Sequence, residues 1–381
     1  MFNWKYIRSE ILVQKYFKFF QIKYLFTKNK QSENFAITLI IIRYILIIFA
    51  GLNGVYDIFY IFTEIENYAG DESLVSRFAV GFEVSSIHFC VIILGWFSIV
   101  CGRKHANYIE KSIIFSKELE EVVDIQKTTK YKISIFYKFL VLINDSLCNF
   151  SFYYYRYGNA LNYFSNRYMR NFVAVCLIDL MHCYMIELID FQKNCMEELY
   201  VKLKNSSCES YFSIIQLTDR SIKIVKSFNR IFSLLLSSNL HHHFFEISIS
   251  TYFLIRRYFV TTQEGDISLK NIFDMMWIQR SIFLSFHLCL KGHNFMHQAE
   301  QLICAVNDIN IYHHEAEEIP EIFRSYHCSA QQFSMRSLHE KIKIMTEDFH
   351  RIDRTLIKRI CASTATFILI LIQFKQLEDR N

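Results

Sequence analysis

RICASTATFILILIQF, residues 359–374, is the stretch that decides how the rest of the chain is interpreted. It is apolar enough for a helix in a bilayer, yet it closes on an amide. At helical spacing four of its residues share one stripe: Ser363, Thr366, Ile370 and Gln373. An amide buried in lipid without a partner costs several kcal/mol, so this stripe predicts a helix that separates water from hydrocarbon and lines a pore.

The same stretch resembles the C-terminal signature of the insect gustatory receptors, in which Thr-Tyr, five hydrophobic residues and Gln-Phe follow one another. The matching residues are Thr366, Phe367, Gln373 and Phe374, with Phe367 in place of the usual tyrosine. Residues 352–356 and 339–342 also resemble the family's approach to this helix. The resemblance is close over the C-terminal part of the chain and is one of layout elsewhere.

The composition indicates a membrane protein with sizeable aqueous parts. The 381 residues are 52% hydrophobic, 17% aromatic and 21% charged, and the mean hydropathy is +0.15. One proline and nine glycines favour long unbroken helices over sheets. The eleven cysteines show no metal-binding spacing, so we expect neither a disulfide framework nor a cysteine metal site.

Seven segments are apolar over the length that a bilayer requires, about 20 residues. They are residues 35–56, 78–100, 133–153, 171–191, 231–254, 272–290 and 356–374. The predicted fold class is therefore an all-α membrane protein with seven transmembrane helices.

Lysine and arginine concentrate in the N-terminal arm and in the second, fourth and sixth connecting segments. The positive-inside rule then predicts a cytoplasmic N-terminus and an extracellular C-terminus. The predicted parts are a cytoplasmic arm (1–34), a six-helix ligand-binding bundle (35–290), a cytoplasmic loop with an anchor helix (291–355) and a pore-lining seventh helix with a short extracellular tail (356–381).

Apolar residues at spacings of four and three predict a helix just before the last span: Leu338, Ile342, Met345, Phe349 and Ile352. This anchor seam either packs on cytosolic helices of its own chain or joins copies of the chain beneath the membrane. The resemblance favours the second alternative, because receptors of that family assemble as tetramers through such helices around a central pore.

Ionisable residues within the predicted spans are candidate functional groups, because each needs water or a partner. They include Asp179, His182, Glu187 and Asp190 in the fourth span, Glu83, His88 and Glu246 in the second and fifth, and Asp274 and Arg280 in the sixth. The alternative for each is pairing inside the bundle.

The outer halves of the spans supply a predicted ligand pocket of aromatic and polar residues: Glu83, Ser86, Asp145, Phe152, Ser248, Tyr252, Trp277 and Gln279. The resemblance points to the same half, where the family binds tastants.

His241, His242 and His243 are consecutive. On a helix such residues point about 100° apart, so the three cannot chelate one ion together. We expect hydrated or interhelical hydrogen-bonding histidines, with no metal and no cofactor. The sequence also contains no phosphate-binding loop, nucleophile elbow or zinc-protease motif, so it supports neither an enzyme nor a nucleic-acid partner.

The resemblance implies a gustatory receptor that is itself a tastant-gated, non-selective cation channel, acting as a homo- or heterotetramer. It implies a place in the plasma membrane of gustatory neurons, dendrites included. Ile370 is the expected constriction, and Gln373 and Thr366 are expected to line the conduction path. Sugar receptors of the family usually carry an acidic residue at the position of Ile368, so a bitter or other aversive tastant is favoured.

Two other classes make different predictions. A multispanning transporter predicts broken helices at the bilayer midplane and an internal pseudo-repeat. A G-protein-coupled receptor predicts the opposite orientation and proline-kinked helices, whereas the sole proline, Pro320, lies outside every predicted span.

Overall fold

The computed structural model describes residues 74–122, 167–205, 208–260, 268–314, 342–346 and 350–378, with isolated positions elsewhere. These residues form six helices and one two-stranded antiparallel sheet. The helices are α1 (Leu74–Val100), α2 (Gly102–Val122), α3 (Arg167–Asn205), α4 (Cys208–Val260), α5 (Ser268–His314) and α6 (Arg354–Glu378); the strands are β1 (Met345–Thr346) and β2 (His350–Arg351). The predicted helical class is confirmed for this part of the chain.

Five predicted spans lie within these helices: 78–100 in α1, 171–191 in α3, 231–254 in α4, 272–290 in α5 and 356–374 in α6. The spans predicted at residues 35–56 and 133–153 fall outside the described ranges, isolated positions apart. Among the described residues, α1 over Leu74–Phe97 and α6 are long and apolar enough to cross a membrane. Only 17% of the apolar window of α6 is buried, against 59% for α1, so α6 lies at the outside of the bundle.

The segments predicted to connect the later spans are largely helical. α3, α4 and α5 contain 39, 53 and 47 residues, and at about 1.5 Å per residue α4 is roughly 80 Å long. None of the three contains proline, so no residue removes a backbone donor and stops the helix at the end of the span. Each therefore continues well past the length that a bilayer requires.

α2 occupies the start of the segment predicted as the second connecting loop. Its buried residues recur every three or four positions: His105, Tyr108, Ile109, Ser112, Phe115 and Leu119. Its basic residues are exposed: Arg103, Lys104, Lys111 and Lys117. The basic segment is thus an amphipathic helix that packs its apolar face against α4.

A large apolar core joins α2, α3, α4 and α5. The ring of Phe232 lies 4.9 Å from that of Phe228 and 5.9 Å from that of Tyr108. At the edge of this aromatic group, Nε2 of His105 lies 2.7 Å from the hydroxyl of Tyr184. Burial lowers the pKa of His105 to about 3, so the imidazole is neutral at physiological pH and the bond joins two uncharged groups.

The prediction that the anchor seam forms a helix is wrong for the residues that the structure describes. The chain there forms a β-hairpin. Met345 pairs with Arg351 across the two strands. Ile342, Ile344 and Thr346 alternate along the first arm, and Ile344 and Thr346 are buried. The segment therefore carries a period of two as well as the four-three spacing, and packing against the bundle selects the period of two. Leu338 and Phe349 of the seam lie outside the described residues.

The hairpin is attached to α4 through one asparagine. Nδ2 of Asn229 donates to the carbonyl of Lys343 at 2.6 Å, and Oδ1 of Asn229 accepts from the amide of Met345 at 3.3 Å. One side chain thus satisfies both backbone groups that flank the start of β1. The amide of Ile352 closes the hairpin by donating to the carbonyl of Ile344 at 2.9 Å.

Gly292 of α5 lets the end of the hairpin approach that helix. A Cβ atom at this position would meet the backbone carbonyl oxygen and the side chain of Ile352 at less than contact distance. Ile352 is fully buried, so it has little room to yield. Glycine is the residue whose missing side chain makes such an approach possible.

We expect Gly292→Ala to destabilise the protein by about 1–3 kcal/mol, because one extra methyl group forces the hairpin away from α5. The readout is the thermal unfolding midpoint of the detergent-purified protein. Cys304→Ala, an exposed position on the same helix, is the control and should leave the midpoint unchanged. A Gly292→Ala midpoint equal to that of the wild type contradicts the close packing.

Asp353 begins α6. Its Oδ1 accepts hydrogen bonds from the amide and the hydroxyl of Thr355 at 2.8 and 2.5 Å, and from the amide of Leu356 at 3.3 Å. Burial opposes ionisation of Asp353, but these bonds and the nearby Arg351 outweigh it and hold its pKa below the usual value. Asp353 is therefore an ionised N-cap of the helix.

Asp353→Ala removes this cap and is expected to cost about 1 kcal/mol of stability at neutral pH. Because the folded-state pKa is depressed, the contribution of Asp353 is complete above its unfolded pKa and is lost as the pH falls through the folded value. Thermal midpoints of wild type and variant should therefore differ at pH 7 and converge under acid conditions. A difference that persists unchanged in acid would exclude the ionised cap.

Candidate functional site

A buried ion cluster joins three helices in the middle of the bundle. Arg280 of α5 donates through Nε to Oδ2 of Asp179 on α3 at 2.8 Å, and through Nη1 to Oε1 of Glu246 on α4 at 2.6 Å. The exposed fractions of Arg280, Asp179 and Glu246 are 4, 0 and 3%. The hydroxyl of Ser281 donates to the other oxygen of Glu246. One guanidinium therefore bridges two carboxylates, away from solvent.

Three histidines surround this cluster. Nδ1 of His243 lies 3.2 Å from the hydroxyl of Ser281, and Nε2 of His182 lies 3.1 Å from the carbonyl of Leu284. The rings of His182 and His243 meet edge to face, 5.0 Å apart. Nδ1 of His242 lies 3.1 Å from the hydroxyl of Ser86 on α1, so four helices contribute to one polar region.

An apolar cluster adjoins the ion cluster. Its buried members come from α1 and α3: Ile87, Cys90, Val175 and Ile178. Trp277 of α5 packs against it, and the guanidinium of Arg280 lies 4.8 Å from the centre of the indole ring. One aromatic face therefore connects apolar walls with a buried cation. Such a combination of apolar surface and a few fixed polar groups is typical of small-molecule sites.

The structure places the described residues of the predicted ligand pocket in different parts of the bundle. Glu83, Ser86 and Trp277 belong to the region just described. Ser248 and Tyr252 instead face α6: the hydroxyl of Ser248 donates to that of Thr364 at 3.4 Å, and Tyr252 is buried against Leu371. The prediction of one pocket is therefore corrected, since neighbouring turns of α4 pack on different helices. Asp145 and Phe152 lie outside the described residues.

Gln279, the remaining pocket candidate, is exposed and lines an open groove between α4 and α5. The groove has a volume of about 530 Å³. Its wall is apolar apart from Thr251 and Gln279 and includes Leu254, Met275, Ile278, Ile282, Phe283 and Phe286. Gln279 and Trp277 are two residues apart on α5 and point to different sides, so they do not share a pocket.

The last helix has one face on the bundle and one face open. Thr364, Ile368 and Leu371 are buried against the other helices, with exposed fractions of 9, 8 and 7%. The predicted polar stripe lies on the open face, where all four residues are exposed: Ser363, Thr366, Ile370 and Gln373. Phe374 is exposed as well. An amide and two hydroxyls are thus presented outward by an otherwise apolar helix.

Phe367, the signature residue in place of tyrosine, packs between α6 and α4. Its ring lies 6.1 Å from each of the rings of Phe244 and Phe245. The ring of Phe245 is stacked on that of Phe82 of α1 at 5.9 Å. An unbroken row of aromatic side chains therefore connects α1, α4 and α6.

Comparison with known proteins agrees with this arrangement. Residues 15–378 match the model of the family described as the 7tm chemosensory receptors. The chain belongs to this family. It is therefore a membrane-embedded chemosensory receptor, and its family is one of receptors rather than enzymes. No curated protein sequence matches the chain.

Solved structures of the insect olfactory receptor OR5 from Machilis hrabei have a similar fold. The complex with eugenol has a TM-score of 0.58 at 13% identity, and covers 91% of the present chain and 92% of that one. The structure described without a ligand has a TM-score of 0.54 at 13% identity, with 91% and 90% covered. The similarity extends over almost the whole length of both receptors.

Sequence reasoning missed how the charged residues of the receptor combine. Asp179, Glu246 and Arg280 were each identified as ionisable groups within a span, but no local pattern indicates that one arginine bridges both acids. The sequence does contain one signal of this pairing: a basic residue within a predicted span requires a carboxylate partner. Asn229 and Phe245 were missed altogether, because neither is unusual for its position in a helix.

Arg280→Gln should destabilise the receptor by about 3–5 kcal/mol, since it removes the cation that two buried carboxylates share. The measurement is the thermal midpoint together with surface expression. Adding Asp179→Asn and Glu246→Gln removes the charges that Arg280 balanced and should restore part of the loss.

Lys291→Gln is the matched control, because Lys291 pairs with Asp190 at 2.8 Å while both side chains remain partly exposed. A pair with that much solvent contact is worth about 1 kcal/mol or less. Equal losses in Arg280→Gln and Lys291→Gln would contradict a special contribution of the buried cluster.

Proposed function

We propose that this receptor is a ligand-gated, non-selective cation channel whose pore is lined by α6 in an assembly of four chains. The observation that carries the proposal is the open face of α6. Ser363, Thr366 and Gln373 are exposed there, on a helix long and apolar enough to span a bilayer. Hydrocarbon offers no partner for an amide, so this face requires water or another chain.

Within that pore, Ile370 is the constriction and Gln373 lines the path. Ile370 is 42% exposed and shares the face of Gln373, one turn away. A ring of four isoleucines can exclude water when narrow and so blocks hydrated cations in the closed state. A ring of amides beyond it offers oxygens to permeating cations. Thr366 donates its hydroxyl to the carbonyl of Ala362 at 3.0 Å, so its exposed oxygen can only accept a further hydrogen bond.

The ligand site of the proposal is the region of Trp277, Glu83 and Ser86, next to the ion cluster. α4 connects it to the pore helix, because Glu246 belongs to the cluster while Phe245 and Ser248 contact α6. A ligand that binds the open arrangement more tightly than the closed one shifts the population by that difference in affinity. Displacement of α4 is the step that transmits binding to α6.

The finer identity rests on the C-terminal signature. Its match to the gustatory receptors supports a taste receptor of gustatory neurons, placed in the plasma membrane with a cytoplasmic N-terminus. Ile368 is buried and apolar at the position where sugar receptors of the family usually carry an acid. This supports a bitter or otherwise aversive tastant, received by a homo- or heterotetramer of related receptors.

Whole-cell current from cells that express the chain is the decisive test, with a panel of bitter compounds and sugars. Ile370→Ala should raise the leak in the absence of ligand, because a smaller side chain widens the dry constriction. Gln373→Ala should change cation permeability ratios. Leu369→Ala is the matched control: Leu369 is 59% exposed on the same helix but points about 100° away from Ile370.

Equal effects of Leu369→Ala and Ile370→Ala would contradict the assignment of the gate. If the chain reaches the cell surface but gives no current, it should be co-expressed with related receptors. If a current then appears and Ile370→Ala leaves its ligand-free leak unchanged, α6 of this chain is excluded as the gate. An epitope tag after Asn381 that is labelled only in permeabilised cells would contradict the topology.

A further inference from the structure

Three side chains of α4 place metal-binding atoms in one small volume. His242, His243 and Glu246 each have one ligand atom within 4.8 Å of those of the other two, and all three side chains are buried. Imidazole nitrogens and a carboxylate oxygen are a ligand set that Zn²⁺ accepts in proteins. We propose that these residues form a binding site for a divalent transition-metal ion inside the receptor.

The geometry follows from helical spacing. Glu246 is four residues after His242 and three after His243, the two separations at which side chains on a helix meet. The two histidines diverge from each other, so each approaches Glu246 from its own side. Nε2 of His242 and Nδ1 of His243 lie 3.8 and 3.6 Å from the same oxygen, Oε2 of Glu246. Bonds of about 2.0–2.1 Å place tetrahedral ligands about 3.3 Å apart, so small rotations suffice.

His242 supplies an available nitrogen. Its Nδ1 lies 3.1 Å from the hydroxyl of Ser86, which fixes the orientation of the ring. Its Nε2 is buried and has no hydrogen-bond partner within the part of the chain that the structure describes. A histidine ligand commonly holds its second nitrogen in such a hydrogen bond, so Ser86 acts as the orienting partner.

Arg280 is the main electrostatic obstacle, because its guanidinium already contacts Oε1 of Glu246. The guanidinium is also shared with Asp179. With neutral imidazoles, the two carboxylates that contact it outweigh the guanidinium by one charge, and a divalent cation reduces that excess of negative charge. The ion would use Oε2 of Glu246 and leave Oε1 to the arginine.

Binding would replace two hydrogen bonds of the cluster. Oε2 of Glu246 accepts from the hydroxyl of Ser281, and Nδ1 of His243 lies 3.2 Å from the same hydroxyl. An ion on Oε2 and Nδ1 releases this hydroxyl and weakens the link between α4 and α5. Because Phe245 and Ser248 of α4 contact α6, an occupied site should also alter channel opening. That effect rests on the proposed function, whereas metal binding itself does not.

The test is equilibrium binding of Co²⁺ to the full-length receptor, measured by visible absorption. The receptor is purified with an affinity tag that contains no histidine. We expect one saturable site per chain whose spectrum lacks a sulfur-to-cobalt band and disappears when Zn²⁺ is added. His242→Gln and Glu246→Gln should each weaken Co²⁺ binding by more than about tenfold. His241→Gln is the matched control, because His241 is exposed and its Nδ1 contacts the carbonyl of Ser237 at 2.7 Å.

Size-exclusion profiles and metal-free thermal midpoints establish that each variant is folded. If His242→Gln fails this check, Ser86→Ala replaces it and should weaken binding by loosening the ring. Absence of saturable Co²⁺ binding to the wild type overturns the proposal. So does unchanged affinity in the folded variants, or a sulfur band, which assigns the ion to thiols such as those of Cys304 and Cys361.

Discussion

The ion bridge from Arg280 to Asp179 and Glu246 is the constraint on which the rest of the bundle depends. A charge removed from water is tolerated only when its partners are held in place, and here the cation on α5 has one partner on α3 and one on α4. The bridge therefore fixes α3, α4 and α5 relative to one another at the depth where Trp277 packs against the apolar cluster. A ligand that touches the indole ring acts on a cation that already restrains three helices.

α4 connects the ion cluster to the last helix, α6. One side of the helix carries Glu246 and the histidines, and the other side carries Phe245 and Ser248, which contact α6. α6 itself is held by few contacts along its apolar window, so its open face is available to other chains while its inner face follows α4. The polar ion cluster and the inner face of α6 thus lie on opposite sides of one helix.

The position at which α6 begins is set by contacts of the hairpin that precedes it. Asn229 binds both backbone groups at the start of the hairpin, Gly292 admits Ile352 against α5, and Asp353 caps the first turn of α6. These three contacts are made by residues far apart in the chain. They set where α6 begins and remove the continuous anchor helix that the four-three spacing of apolar residues predicted, because a buried hairpin uses the alternating residues instead.

The sequence by itself determined the features that depend on neighbours along the helix. Hydrophobic length located the apolar segments that lie within α1 and α3 to α6, and spacing alone put Ile370 and Gln373 on one face. Tertiary structure decided the features that depend on distant residues: the sharing of Arg280 by two acids, the turn of Ser248 away from Trp277, and the hairpin at Met345. The physical reason is that hydrophobicity and helical period are local quantities, whereas the partner of a buried charge is chosen by packing between helices.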